Sequence, residues 1–226
     1  MNYHLRNIRS FVLRAGRITK RQRYALDNYW NKYGIEFSRS ELDLVKLFNR
    51  QAPMILDIGT GTGDTTAFLA GKYPENNYLA VEVHEPGIGN LLGKIEENNL
   101  TNIKIIKHDV IEVLQYQVPC NSLDIIYIFF PDPWPKKKHH KRRLINQNFL
   151  DLVGDRLKHN GRVFLATDWK DYAEHMITTL DTHSRFNNIC GSGRFAPRPY
   201  WLPVTKFEKR GQKLNHDVWN LIYSVS

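Results

Sequence analysis

Cysteine is scarce in this 226-residue chain: Cys120 and Cys190 are the only two, and no C-x-x-C pair occurs. A disulfide framework is thereby excluded, and two buried free thiols in a reducing compartment are expected. The nine histidines fall into no H-E-x-x-H or paired-cysteine pattern, so no metal site is expected. Long apolar runs are missing as well. The longest, Ile125 to Phe130, is far short of the roughly 20 residues that a bilayer-spanning helix takes, so no membrane partner is expected. Acidic residues are absent from two stretches in particular. Residues 1–26 hold seven basic side chains (Arg6, Arg9, Arg14, Arg17, Lys20, Arg21, Arg23) and residues 136–143 hold six, with no acid in either. Those thirteen charges exceed the formal net charge of +9, so the rest of the chain is net acidic. Basicity confined to two runs is the footprint of a polyanion partner, and two runs on one small protein favour nucleic acid over two solvated loops.

What is present is ordinary for a soluble domain: 42% hydrophobic and 12% aromatic residues, in a chain long enough to bury a core without staples. The Arg-rich start has the composition of an organellar transit peptide, but no secretory apolar core follows, and "RITKRQRYALDNYW" reads as a helix. The expectation is a cytoplasmic protein, monomer or homodimer, with a single domain over residues 1–226 and a basic arm over residues 1–26.

Beyond the arm, "SRSELDLVKLFN" carries a Ser-x-x-Glu signature for a short helix. Then short, nearly all-apolar runs ("MILDIG", "NYLAVEV", "IKIIKHD", "LDIIYIFF", "GRVFLATD") alternate with amphipathic segments ("DTTAFLAGKY", "GIGNLLGKIEENN", "INQNFLDLVGDRLK", "KDYAEHMITTLDTH"). That alternation predicts an α/β fold with a mostly parallel sheet covered on both faces. "HNG" is read as a turn, residues 191–217 as a long Gly/Pro/basic loop, and "VWNLIYSV" as a last strand. In such a sheet, ligands bind beyond the carboxyl ends of the strands.

Candidate site residues sit at those ends. In "LDIGTGTGD", Gly59, Gly61 and Gly63 follow a strand and open a helix, in GxGxG rather than GxGxxG spacing. Asp57 stands two residues before the first glycine, where it would repel a pyrophosphate and attract a cationic sulfonium amino acid. Glu82 ends the next strand, 23 residues after Gly59, at the offset of an acid that accepts from ribose hydroxyls. Asp109 ends the third strand, within reach of an adenine edge. Together these acids favour S-adenosylmethionine as cofactor, with NAD the runner-up. Asp132 follows the fourth strand between Pro131 and Pro133, which fix its orientation. Trp134 offers either a stacking face for a base or plain loop packing. Lys136 to Arg143 would meet phosphates. Asp168, in "ATDW", either contacts a purine edge or caps the next helix, and "TKFEKRG" (205–211) reads as a lid.

At "RSFVLRAGRITKRQ", "LDIGTGTG", "VEVHEPGIG", "FFPDPWPKKKHHKRR", "TDW" and "TKFEKRG" the chain resembles the bacterial tRNA (guanine-N7-)-methyltransferase family, nearly end to end. The resemblance implies a Rossmann-like class I methyltransferase fold of seven strands, the last antiparallel. It implies methyl transfer from S-adenosylmethionine to N7 of guanine 46 in the tRNA variable loop. By motif, it implies cofactor contacts at Asp57, Glu82, Asp109 and Asp132, Asp132 also being the catalytic acid residue. It implies substrate contacts at Lys136, Asp168, Thr205, Lys206, Phe207 and Glu208. Rival readings are a non-catalytic RNA-binding module, a small-molecule methyltransferase, which leaves both basic runs idle, and an NAD-dependent oxidoreductase, which the glycine spacing and Asp57 disfavour.

Overall fold

The structure, a computed structural model, describes residues 9–12, 16–204 and 217–226. Helix α1 (Lys20–Tyr33) starts at Thr19, whose hydroxyl accepts from the Gln22 amide while the Gln22 side chain accepts from the Thr19 amide. It runs into a two-residue strand, β1 (Gly34–Ile35). Helix α2 (Leu44–Phe48) is capped by Asp43, whose carboxylate accepts from the Lys46 amide at 3.0 Å. The expected Ser38-x-x-Glu41 cap is not used; the Ser38 hydroxyl bonds that of Ser40 instead.

The alternating pattern then becomes β2 (Met54–Ile58), α3 (Asp64–Lys72), β3 (Asn77–Val81), α4 (Glu85–Glu97) and β4 (Ile103–Ile106). A three-residue α5 (Val110–Glu112) continues as a π-helical turn, Val113–Gln117, before β5 (Leu123–Phe129). A 3-10 helix (Lys137–Arg142) precedes α6 (Gln147–Arg156), β6 (Leu157–Thr167), α7 (Lys170–Asp181), β7 (Phe186–Asn188) and β8 (Trp219–Val225). The expected "HNG" turn is absorbed into β6, which begins directly after α6. Asn160, at φ +62°, bends the strand there, and the pairing with β5 shifts between Leu123 and Ile125.

The strands form one sheet in the order β1-β4-β3-β2-β5-β6-β8-β7. Pairing is parallel from β1 through β6, and β8 runs antiparallel to both β6 and β7. The resemblance implies seven strands, six runs read as strands in the sequence, and eight are found; β1 and β7, of two and three residues, carry no readable periodicity. Strand order reverses at β2/β5, the crevice where α/β sheets take ligands. Every residue of β2 and β3 is buried. Alternation along β2 sends Leu56 and Ile58 into the core on one face and Ile55 into that on the other.

The helical part of the arm lies on α4. Tyr33 Oη and Lys32 Nζ donate to Glu96 Oε2 at 2.6 and 3.0 Å, and Arg21 pairs with Glu97. Of the long loop, Trp201 returns to the sheet, 5.6 Å from the Tyr127 ring and 5.3 Å from Phe164. Both cysteines are free, but Cys120 is exposed and Cys190 half-buried rather than buried as expected. None of the described helices is long and apolar enough to cross a membrane.

Candidate active site

The glycine loop is the floor of the crevice. Gly59 (φ +72°) and Gly61 (φ +56°) adopt the left-handed conformation, and a Cβ added to either would meet nothing within 4 Å. Both line a cavity of about 260 Å³ together with Ile58, Glu82, His84, His108, Phe129 and Asp132. Gly63 does other work: it caps α3, and its Cβ would come within 2.6 Å of the Leu91 side chain on α4. Between the first two glycines, the buried Thr60 hydroxyl has no partner among the described residues.

Glu82 is buried in the wall of this cavity. Its Oε2 accepts from the Gly61 amide at 2.8 Å, and Oε1 accepts from the amides of Val83 and His84 at 2.7 and 2.9 Å. A carboxylate has about four acceptor directions, so one remains for a ligand hydroxyl. Asp109 caps α5 by accepting from the Ile111 amide at 3.1 Å, and burial holds its carboxyl above the usual range. It lines an adjoining cavity of about 590 Å³, which shares Phe11, Val83, His84 and His108 with the first. The His108 ring stacks on Phe37 at 3.7 Å and bonds Glu112 at 2.7 Å.

Asp57 is not among the residues that line either cavity. It lies on the face of β2 opposite Ile58, only 3% exposed, and accepts from the Thr66 hydroxyl on α3 at 2.6 Å. Burial is the largest influence and pushes its carboxyl up to about 6, against the Thr66 hydrogen bond; the Glu82 charge adds to the rise. Strand alternation accounts for this placement: a side chain next to the glycine turn in sequence points the other way in space.

Asp132 lies in the first cavity and in a third, of about 510 Å³, which also takes in Val12, His84, Trp134, Lys136 and His139. Its carboxylate has no hydrogen bond or ion pair among the described residues. Phe130 (φ +53°) and Trp134 (φ +47°) flank it in the left-handed region, an uncommon and strained setting for bulky side chains. The Trp134 indole N–H donates to the Ser10 carbonyl at 3.0 Å, and the Arg142 guanidinium lies 4.8 Å over the ring. Loop packing, rather than an open stacking face, describes this tryptophan.

The basic run is divided. Lys136, Lys137, Lys138 and Lys141 are exposed, Arg142 rests on Trp134, and Arg143 is buried, so the expected row of six phosphate contacts is not presented as one. Asp168 is apart from Asp132, in a separate cavity with Trp169, Asp171, Glu174, Asp217 and Trp219. It makes no side-chain cap for α7, whose N-cap residue is Trp169. Thr205, Lys206, Phe207 and Glu208 lie outside the described residues. Sequence reasoning did not single out His84, His108, Ser10 or Phe11 as parts of the site. For the histidines the position just after β3 and β4 was a usable signal, whereas nothing local places the arm over the cavity.

A nucleoside carrying a cationic chain fits these residues. The open glycine positions leave room for a backbone-close ligand, and Glu82 keeps an acceptor direction. Among the described residues no cluster of His, Cys, Asp and Glu has the form of a metal site.

Comparison with known proteins agrees with this architecture. A family model with the description "Putative methyltransferase" matches residues 51–221. The tRNA (guanine-N(7)-)-methyltransferase of Nitrosospira multiformis is 50% identical over 218 residues, 96% of this chain and 94% of that protein. The enzyme of the same description from Hydrogenovibrio crunogenus is 46% identical over 220 residues, 97% of this chain and 92% of that protein. Among solved structures, the 16S rRNA methyltransferase KamB superposes with a TM-score of 0.59 at 13% identity, covering 80% of this chain and 91% of that one, which speaks to the fold. With identity of this level over nearly its full length, the chain belongs to the tRNA (guanine-N(7)-)-methyltransferase family.

Proposed function

We propose that this protein transfers a methyl group from S-adenosylmethionine to N7 of guanine 46 in the variable loop of tRNA. The observation that carries the reading is the Asp132 carboxylate, without a partner among the described residues and placed where the crevice opens into the basic run. Family membership supports tRNA and guanine N7; position 46 rests on the motif resemblance.

In this reading Asp109 and His108 border the adenine, Glu82 receives a ribose hydroxyl, and Gly59 and Gly61 border the amino-acid chain. Asp57 acts from behind the loop, through Thr66, rather than by contact. Bound S-adenosylmethionine supplies an electrophilic methyl group on a sulfonium centre. Guanine N7 attacks with a lone pair and carries no proton, so no residue has to act as a base. The N7–carbon bond forms as the carbon–sulfur bond breaks, its electron pair stays on sulfur, and the guanine becomes cationic. Asp132 beside the ring stabilises that developing charge, while the loop holds attacking and leaving atoms in line. Lys136 and the exposed lysines after it hold the RNA backbone, and the motif resemblance adds Asp168, Thr205, Lys206, Phe207 and Glu208 as substrate contacts. A tRNA substrate and the absence of a disulfide between Cys120 and Cys190 are compatible with action in the cytoplasm.

The test is methyl transfer from labelled S-adenosylmethionine to an unmodified tRNA transcript, followed by chain cleavage at 7-methylguanosine. A single cut at guanine 46 is expected. A cut elsewhere would remove the position, and label without any cut would remove N7.

A further inference from the structure

Arg143 belongs by sequence to the phosphate-binding run, yet its side chain is 2% exposed. Its Nε donates to the carbonyl of Pro133, the residue after Asp132, at 3.0 Å. Its Nη2 donates to Asp171 Oδ2 on α7 and lies 3.2 Å from His140 Nε2. The guanidinium sits 4.9 Å from the centre of the Tyr172 ring, and the Arg143 amide closes the 3-10 helix on the His140 carbonyl at 2.9 Å. A guanidinium so enclosed has no face left for a phosphate, and only a planar fork reaches carbonyl and carboxylate together.

The loop it grips needs holding. Phe130 and Trp134 place both ends of the Pro131–Pro133 segment in strained backbone. No described side chain bonds the Asp132 carboxylate, so among the described residues it is the loop backbone that sets its direction. Among the described residues, Arg143 makes the one side-chain hydrogen bond to that segment's main chain.

We infer that Arg143 is a positioning residue for methyl transfer: by tying Pro133 to Asp171 it aims Asp132 at the reacting base, and it does not touch tRNA. This rests on the role given to Asp132 above.

The experiment measures single-turnover methyl transfer with tRNA and S-adenosylmethionine saturating, and tRNA affinity as a function of salt. The variants are Arg143→Lys, Asp171→Asn, Asp132→Asn and the Arg143→Lys/Asp132→Asn double. Arg143→Lys is expected to slow transfer by roughly 10- to 100-fold, the scale of a small misplacement of reacting groups. Asp171→Asn, at a side chain 59% exposed, slows it in the same direction by less. The salt slope of tRNA binding stays unchanged, and Arg143→Lys costs nothing further once Asp132 is Asn.

A salt slope shallower by about 0.9 would make Arg143 a phosphate contact and overturn the inference. Equal losses with and without Asp132 would make its role generally structural, with the same result. If Arg143→Lys does not fold, Asp171→Asn decides alone, and a wild-type rate there overturns the inference. A slow Asp132→Asn with fast Arg143→Lys and Asp171→Asn removes this inference only. A wild-type rate for Asp132→Asn removes it together with the role of Asp132.

Discussion

The Trp134 indole N–H donates to the Ser10 carbonyl at 3.0 Å, joining residues 124 positions apart. The bond ties the N-terminal arm to the loop that carries Asp132. Phe11, next to Ser10, lines both of the cavities assigned to the cofactor. Val12 of the arm and Lys136 and His139 line one cavity, so the two acid-free stretches of the sequence meet there.

Trp134→Phe removes the donor and keeps most of the ring. A single hydrogen bond contributes about 0.5–1.5 kcal/mol net, so affinity for S-adenosylmethionine should drop roughly 2- to 10-fold with little change in melting temperature. Equilibrium dialysis decides it; unaltered affinity would show that the arm does not help close the site.

Gly61→Ala and Gly63→Ala should fail in different ways. At position 61 an alanine pays about 1–2 kcal/mol for φ +56° but meets no atom, so its Cβ enters the ligand cavity and weakens cofactor binding. At position 63 the Cβ collides with Leu91, and the loss falls chiefly on stability. Urea melts beside cofactor titrations separate the two, and matching profiles would contradict the assignment.

Asp57 gives a signature in pH. Its folded carboxyl is raised from 3.8 to about 6, so between those values the folded chain keeps a proton that the unfolded chain has lost. The stabilisation is whole below about pH 4 and is lost as pH rises through 6, a fall on the order of 2–3 kcal/mol. Asp57→Asn should remove that part of the profile, in urea denaturation from pH 4 to 7. Profiles that run parallel would mean that Asp57 is not buried as a neutral acid.

The strands and the cavity-lining residues at their ends were legible because β2, β3 and β5 are dense apolar runs whose carboxyl ends carry Gly59, Glu82 and Asp132. The sequence could not show which way a side chain faces when both faces of a strand are buried, so the orientation of Asp57 toward Thr66 was not legible. Nor could composition tell an outward arginine from an inward one: Arg142 and Arg143 are neighbours, and their different surroundings come from Trp134 and Tyr172, which are distant from one another in the chain. The strand β1 and the seat of the arm depend on contacts with β4 and Trp134 that no local pattern encodes.

Among the exposed lysines, Lys137→Gln and Lys138→Gln should each weaken tRNA binding and reduce its salt slope by about 0.9, with single-turnover rate at saturation intact. Filter binding across a salt series measures this. A drop in rate without a change of slope would move these residues from RNA backbone to chemistry.

The backbone at Phe130 and Trp134 sets a limit on improving this protein. Exchanging the residue at such a left-handed position for glycine relieves its backbone strain, a gain that the lost contact with Ser10 offsets in part at Trp134. Here the gain would free the hinge points on either side of Asp132. A search for thermostable variants that ignores turnover would select those exchanges early, and the hardiest proteins it returned would be slow enzymes.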